Sequence, residues 1–581
     1  MTKKQGPAPH AWTNKEVATV LERIGTMMDL AGENPFKSRA YFNAARTLQT
    51  EERSVTDLVA AGELGSLKGF GVAITEKVTS LVTTGHIPYL DELREQVPES
   101  LLDLLELPKM GPKKVKAVWD ELGITTVGEL EYACEENRLV DLPGFGAKTQ
   151  ASILEGIEYF KRNVGLSLIN EALPTARAAL EFLLDLKTVK RGEIAGSIRR
   201  RKEVVGDADL LVSSASPDAV MKAFVKMAGV EGVIAHGETK SSVRMTSGLQ
   251  IDLRVVTDAE FPFALHHFTG SKEHNVAMRA RAKARDMKLN EYGLFKGEKE
   301  KLVPCATEDD IFEALGLAPI APEMREDMGE IEAAERRALP HLIERGDIRG
   351  IFHNHSTWSD GRASLRDMAL AAKKRGYEYF GISDHSRSAG YAHGLEIERI
   401  EAQHAEVDAL NAELVGIKIL KGIESDILPD GSLDYPDKVL RTFDFVIASV
   451  HSSMKQDRET MTERVLRAMD NPHVRILGHP TGRLLLAREA FAIDMEAVMR
   501  HAAETGVALE INANPHRLDV DWRFLKRGKE LGVKFAISPD AHAIEGLDDT
   551  DWGVGIARKG WLEKGDVVNT ERLSRVLDQW K

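Results

Sequence analysis

Seven short β-type runs recur over the C-terminal part of the chain, and each closes on polar residues of the metal-ligand type. They are IRGIFHNH (348–355), YFGISDH (379–385), IKILKGIESD (417–426), FDFVIASVH (443–451), VRILGHP (474–480), VALEINAN (507–514) and VKFAISPDAH (533–542). Helical stretches separate many of them. Repeated β-α units with their functional groups at the strand C-termini describe a β/α barrel whose site lies on that face. His353 and His355 alternate on one strand, so both imidazoles are expected on one side. Asp360, His385, Glu424, His451, His479, Asp540 and His542 follow at or just past strand ends. A single histidine there is ordinary, but six histidines and three acids at one topological position point to a metal site. Mixed nitrogen and carboxylate ligands favour zinc, manganese or iron over magnesium.

A chain of 581 residues is too long for one core and should divide into several domains. Its 43% hydrophobic and 29% charged residues fit a soluble globular protein. Cys134 and Cys305 are the only cysteines, with no CxxC pair, which excludes a disulfide framework and a cysteine-based zinc site and suits a reducing cytoplasm. No apolar run approaches a membrane span, and the start MTKKQGPAPHAW has no apolar h-region, so no export signal is expected. The net charge of −14 argues weakly against a nucleic-acid partner. Local basic runs at 111–116, 197–202 and 279–285 leave room for a basic groove all the same.

Three loops in the first 150 residues share one shape: LKGFG (67–71), LPKMGP (107–112) and LPGFG (142–146). A tight glycine turn opening a helix aims free backbone amides outward and makes an anion site. The plain alternative is a helical bundle with glycine caps. From about residue 190 the pattern becomes α+β: GEIAGSIRR, DADLLVS, LQIDLRVVT and FALHHFTG read as strands alternating with helices such as PDAVMKAFVKM. The proline- and charge-rich stretch 319–345 reads as a linker into the barrel.

GDADLLV (206–212) places Asp207 and Asp209 on one face of a strand, where two like charges repel unless a cation lies between them. GSIRR (196–200) precedes it, and IDLRV (251–255) sets Asp252 in another apolar strand. Three carboxylates on adjacent strands beside a small anion-binding turn are what two-metal phosphoryl transfer requires.

This ordered set resembles the nucleotidyltransferase superfamily, specifically the family X DNA polymerases related to polymerase β. HFTGS (267–271) followed by Asn275 and Arg279 is similar to that family's segment beside the incoming nucleotide. The resemblance implies that Asp207 and Asp209 hold two Mg²⁺ or Mn²⁺ ions, with Asp252 completing the site for a primer 3′-hydroxyl that attacks the α-phosphate. It implies that Gly196, Ser197 and Arg200 bind the triphosphate and that Arg254 orients the aspartates. His267 and Phe268, with Gly270, would lie against the sugar, Asn275 on the base and Arg279 on the template side. The family's usual Tyr-Phe pair is His267-Phe268 here, which bears on ribose discrimination. The three loops resemble helix-hairpin-helix motifs, implying phosphate contacts by Gly69, Gly71, Gly111, Lys113, Gly144, Gly146 and Lys148. The N-terminal helices resemble the family's small lyase domain. Lys77 falls at the position of its Schiff-base nucleophile, and Lys37 and Tyr41 at its 5′-phosphate contacts. Ala73 stands where a second basic residue is frequent, and a helix lysine is more often a solvated charge.

The barrel resembles the PHP (polymerase and histidinol phosphatase) domain, a distorted β/α barrel holding three metals, here Zn²⁺, Mn²⁺ or Fe. All nine of its ligand positions are filled, and His393 in GYAHGLE (390–396) falls near a substrate phosphate. Across the whole chain the order of parts resembles the bacterial and archaeal PolX enzymes. The expected division is 1–90 lyase-like, 91–165 helix-hairpin-helix, 166–257 palm, 258–318 nucleotide and template contacts, 319–345 linker and 346–581 PHP barrel. The expected activities are gap-filling DNA synthesis in repair and metal-dependent 3′-5′ exonuclease or end processing. Gapped or nicked DNA and dNTPs are the expected partners, in a cytoplasmic, nucleoid-associated monomer with no membrane partner. A small-metabolite phosphatase with a regulatory front half, and a non-catalytic DNA-end scaffold, are the rival readings.

Overall fold

The structure is a computed structural model that describes residues 12–51, 53–135, 138–140, 142–163 and 165–580; the start of the chain, which bears on the export signal, lies outside them. The chain forms two compact units, Met1–Val164 and Gly165–Lys581.

The first unit is helical throughout its described residues. Its three glycine loops lead into α1 (Val72–Thr84), α2 (Pro112–Leu122) and α3 (Ala147–Asn163). Each loop is built alike. Gly69, Lys109 and Gly144 take left-handed conformations, with φ of 88°, 69° and 84°. The apolar residues that follow, Phe70, Met110 and Phe145, are buried. The turn thereby plugs the helix entry into the core while the helix N-terminus faces out. Lys109 shows that the geometry does not demand glycine, only an αL residue.

In the second unit the helix Ile169–Leu184 is followed by a five-stranded mixed sheet. Its strands are β1 (Val189–Ile194), β2 (Asp207–Ser214), β3 (Val230–His236), β4 (Lys240–Met245) and β5 (Gln250–Val256), in spatial order β1-β2-β5-β4-β3. Only β2 and β5 run parallel, and their register sets Asp209 opposite Asp252. FALHHFTG is not a strand: it lies in α4 (Phe261–Thr269), followed by α5 (Lys272–Lys283). The helix is apolar almost all round because Phe261, Phe263, Ala264, Leu265 and His266 are all buried. A short continuous apolar run has no period by which to separate the two states.

Segment 319–345 is packed rather than extended through solvent. Met324, Ile331 and Ala334 join the core around Phe312. Arg325, 2% exposed, donates to Glu308 at 2.6 Å, and Glu330, fully buried, meets His274 Nδ1 at 2.6 Å. Buried ions of this kind persist only when paired.

The barrel is a seven-stranded all-parallel sheet in sequence order. Its strands are β6 (Gly350–Ile351), β7 (Tyr379–Ile382), β8 (Lys418–Asp426), β9 (Phe445–Ser449), β10 (Val474–Leu477), β11 (Ala508–Asn512) and β12 (Phe535–Ser538). A parallel bridge between Asn354 and Ala541 joins the first strand's end to the last, closing the sheet at its C-terminal rim. The central five strands are buried on both faces, as parallel strands covered by helices must be.

Candidate active sites

At the palm, β2 projects Asp207 and Asp209 from one face, and β5 adds Asp252 beside Asp209. Burial, then Asp207 and Asp252, pushes the Asp209 carboxyl up to about 6. Burial and Asp252 raise Asp207 as well. Burial works to raise Asp252, but hydrogen bonds from Lys240, Gln250 and Ser242 outweigh it and hold that carboxyl low. Lys240 Nζ lies 2.9 Å from Asp252 Oδ2, and Gln250 Nε2 2.9 Å from Oδ1. Three converging carboxylates, two of them hindered in ionising by burial and by their neighbours, are matched chemically to hard divalent cations.

Gly196 forms the floor of this site. It sits at φ +62°, and a Cβ there would stand 2.2 Å from Asp209 Oδ2. Gly196→Ala is expected to displace Asp209 and weaken divalent-cation binding at the three carboxylates by roughly 10–100-fold. A Mn²⁺ titration of that variant beside the wild type checks it.

The neighbouring residues are placed as follows. Arg254 stacks over Phe268 at 4.3 Å, and His267 meets Phe268 edge-on at 5.0 Å. Asn275 Nδ2 donates to the His267 carbonyl at 2.6 Å, and a Cβ on Gly270 would come within 2.9 Å of Asn275 Oδ1. Ser197 is half-buried and Arg279 exposed. Arg200 is 8% exposed and already engaged, its Nε 2.9 Å from Glu326 Oε1 and its Nη1 donating to the Thr269 carbonyl at 2.8 Å. That engagement ties the Gly196–Arg200 turn to the segment beyond residue 319, a tie that sequence spacing does not carry.

In the first unit, Lys37, Tyr41, Gly69, Gly71, Ala73, Lys77 and Tyr89 line a cavity of about 460 Å³. Lys77 Nζ lies 4.8 Å over the Tyr89 ring, and Tyr89 donates to Glu33 at 2.7 Å. Burial, then Glu33, pushes the Tyr41 hydroxyl up to about 12. Gly111 and Lys113, and Gly146 and Lys148, stand at the starts of α2 and α3.

The barrel gathers all nine expected residues at its rim. They fall into four overlapping groups: His355, Asp360, His385 and His542; His353, His355 and Asp540; His353, Glu424 and His479; His385, Glu424 and His451. Glu424 lies at the centre, with His353 Nε2 at 3.2 Å, His451 Nε2 at 3.2 Å and His479 Nε2 at 3.0 Å. The plain strand alternation expected of His353 and His355 does not occur. The strand ends at Ile351 and His353 takes φ +55°, yet the two rings converge to 5.3 Å. His393 is exposed and belongs to none of the four groups.

Both nitrogens of His355, Nε2 of His353 and Nδ1 of His479 are buried without a hydrogen-bond partner among the described residues. Burial, then His542 and His385, pushes the His355 imidazole down to about 3, so it is neutral, the form that binds a metal. Buried polar atoms left unmatched at convergent His and carboxylate groups fit metal ions.

An outer layer orients these ligands, and the sequence reading did not single it out. Glu510 accepts from His353 Nδ1 at 2.6 Å and from the His479 amide at 2.7 Å. Asp426 takes His451 Nδ1 at 2.6 Å. Asp384, fully buried, holds the loop carrying Asp360 through Ser356 and Ser359. Asp426 was within reach of pattern reasoning, since it lies two residues past Glu424 on β8. Such partners fix tautomer and ring orientation. Asp426→Ala is expected to weaken metal retention by roughly 10–100-fold, read as metal bound after dialysis.

Two carboxylate-rich sites, one on a nucleotidyltransferase-like sheet and one crowning a parallel barrel, define a protein with two separate centres for phosphoryl chemistry. The helix-hairpin-helix domain pattern matches residues 12–87, the SAM-like helix-hairpin-helix tandem 101–158, the DNA polymerase beta thumb 264–326 and the PHP domain 352–514. The DNA polymerase/3′-5′ exonuclease PolX of Bacillus subtilis (strain 168) is 40% identical over 97% of this chain and 98% of its own length. A protein named a probable phosphatase, from Thermoanaerobacter sp. (strain X514), is 30% identical over 38% of this chain and 89% of its own. A solved ternary P/T complex of Leishmania infantum polymerase beta is 25% identical, covering 39% of this chain and 98% of its own, with a TM-score of 0.26. The chain belongs to the PolX family, the bacterial family X DNA polymerases with a C-terminal PHP domain.

Proposed function

We propose that this chain is a DNA polymerase that fills short gaps during repair and that also carries a 3′-5′ exonuclease. The observation that carries the reading is the pairing of Asp209 with Asp252 across β2 and β5 on the same chain as the nine-residue barrel cluster. Both activities are metal-dependent. We assign two Mg²⁺ or Mn²⁺ to Asp207, Asp209 and Asp252, where they would supply charge neutralisation at the α-phosphate. Up to three Zn²⁺, Mn²⁺ or Fe ions would be held by the barrel cluster and would supply an activated water.

The protein's own groups do the positioning. Gly196 lets the Asp209 carboxylate approach the turn. Arg254 stacks on Phe268 where its charge reaches Asp209. Asn275 locks the carbonyl of His267 beside the nucleotide position. Arg200, held by Glu326, supports the triphosphate turn through its backbone in this reading, and Ser197 offers the side-chain contact. The hairpin loops would grip gapped or nicked DNA through backbone phosphates without reading sequence, so affinity falls with salt. The division from lyase-like helices to PHP barrel is part of this proposal, with 319–345 as a packed segment in place of a free linker. So is a cytoplasmic, nucleoid-associated monomer; no helix among the described residues is long and apolar enough to cross a membrane.

A gapped duplex with a 5′-labelled primer tests the reading. With dNTPs and Mn²⁺ the primer should lengthen to the gap's end, and without dNTPs it should shorten; a primer unchanged in both conditions contradicts it. A lyase role for Lys77 predicts a borohydride-trapped adduct with a 5′-deoxyribose-phosphate end that Lys77→Ala abolishes.

A further inference from the structure

The carboxylate-rich rim of the barrel has one fixed cation that the ligand pattern does not include. Arg517 follows β11 on the loop 513–518, and its Nε lies 3.5 Å from Asp540 Oδ2. Among the described residues it is the one Arg or Lys within 4 Å of Asp360, Glu424 or Asp540. Placing a guanidinium against a centre built to concentrate divalent cations opposes metal binding, unless an anion is to lie between them.

The backbone from which that guanidinium projects is held in place. Arg483 donates through Nε to the Arg517 carbonyl at 3.0 Å and also to the Leu518 carbonyl, while its Nη1 meets Asp521 Oδ2 at 2.6 Å. The Arg517 amide closes a turn onto Asn514 at 2.8 Å. Thr481 meets Asp519 through both amide and hydroxyl, at 3.0 and 2.8 Å. The side chain is only 18% exposed.

Arg517 is not needed to hold Asp540. Asp540 Oδ2 already accepts Asn512 Nδ2 at 3.0 Å, whereas the Arg517 contact is too long for a hydrogen bond. The two terminal nitrogens of Arg517 donate no hydrogen bond to a described residue, and they are not among the sealed polar atoms. A largely buried guanidinium on a fixed stretch of backbone, with its fork free of hydrogen bonds, presents donors in the geometry that suits phosphate oxygens.

We infer that Arg517 is a substrate-binding residue of the barrel, taking a non-bridging oxygen of the scissile phosphate at the DNA 3′ end. The inference rests on the nuclease reading above and extends it: recognition at this point is of phosphate, not base. A guanidinium so placed binds the phosphate released as readily as the linkage attacked.

The test uses the full-length, metal-loaded protein as wild type, Arg517→Ala and Arg517→Lys. Inorganic phosphate is titrated in by calorimetry, metal content is measured alongside, and degradation of a 5′-labelled single strand is followed. Arg517→Ala should weaken phosphate binding at least about tenfold and lower kcat/KM for degradation by about 10²-fold. Arg517→Lys should recover part of both, and metal content and primer extension should not change, the latter also reporting on folding. Unaltered phosphate affinity in Arg517→Ala overturns the inference. So does a parallel loss of metal, which would make the arginine a support for Asp540. Degradation that persists in His353→Ala would instead sink the nuclease reading itself.

Discussion

Asp209→Asn is expected to lower primer extension on a gapped duplex by at least ~10³-fold, about 4 kcal/mol in the barrier. The substitution is nearly isosteric, so the fold should survive: Asp209 caps no helix, and its neighbours Leu210 and Leu211 keep their core places. What it removes is one of three charges that converge where β2 and β5 run parallel. In the free protein that charge is already disfavoured, the carboxyl being pushed up to about 6 by burial and then by its neighbours. The amide therefore relieves repulsion, and the melting temperature should hold or rise while activity collapses. A stability gain with an activity loss is the signature of a group retained for binding cations, not for folding. Single-nucleotide incorporation under single-turnover conditions, with thermal melting alongside, checks both parts. A variant that is strongly destabilised would contradict this account of the strand.

His353→Ala is expected to reduce strand degradation on the order of 10³-fold and to lower the metal content of the purified protein. His353 belongs to two of the four ligand groups, so its loss disturbs more than one ion position. It also takes from the buried Glu510 its 2.6 Å partner, leaving it only the neutral His479 amide and Asn512 Nδ2, and a buried carboxylate that loses its imidazole partner costs stability. This variant should therefore melt earlier, opposite in sign to Asp209→Asn. His355→Ala should behave similarly in metal content, since the same imidazole serves two groups, but with a smaller melting effect because neither of its nitrogens has a hydrogen bond to lose. Metal analysis by mass spectrometry on dialysed protein, with melting curves, separates the two.

Much of the barrel is legible in the sequence because its strands announce themselves twice, by apolar runs and, in six of the seven, by a ligand-type residue at or just past the strand's end. The palm is legible for a related reason: two aspartates at i and i+2 make sense only beside a third. What is not legible is whatever depends on contacts between distant segments. FALHHFTG carries no periodicity because the helix it forms is buried almost all round, His267 and Phe268 excepted. The role of Gly196 emerges only once the Asp209 carboxylate lies 2.2 Å from where a Cβ would be. Arg200 looks free for a triphosphate until Glu326, more than a hundred residues on, is found bonded to it. Stretch 319–345 has the composition of a solvated linker, yet Arg325 and Glu330 are buried because Glu308 and His274 wait for them. Glu510 is not legible because an acid in the middle of VALEINAN has no motif of its own; it orients His353 and the His479 amide.

The central claim is that one chain holds two independent centres, the aspartates building phosphodiester bonds and the barrel cluster breaking them. It is tested most directly by running Asp209→Asn and His353→Ala side by side on a single 5′-labelled gapped duplex, with and without dNTPs. The account predicts that Asp209→Asn shortens the primer at the wild-type rate but does not extend it, and that His353→Ala extends it but does not shorten it. If either substitution abolishes both activities in a protein that remains folded, the two centres are not independent and the assignment fails.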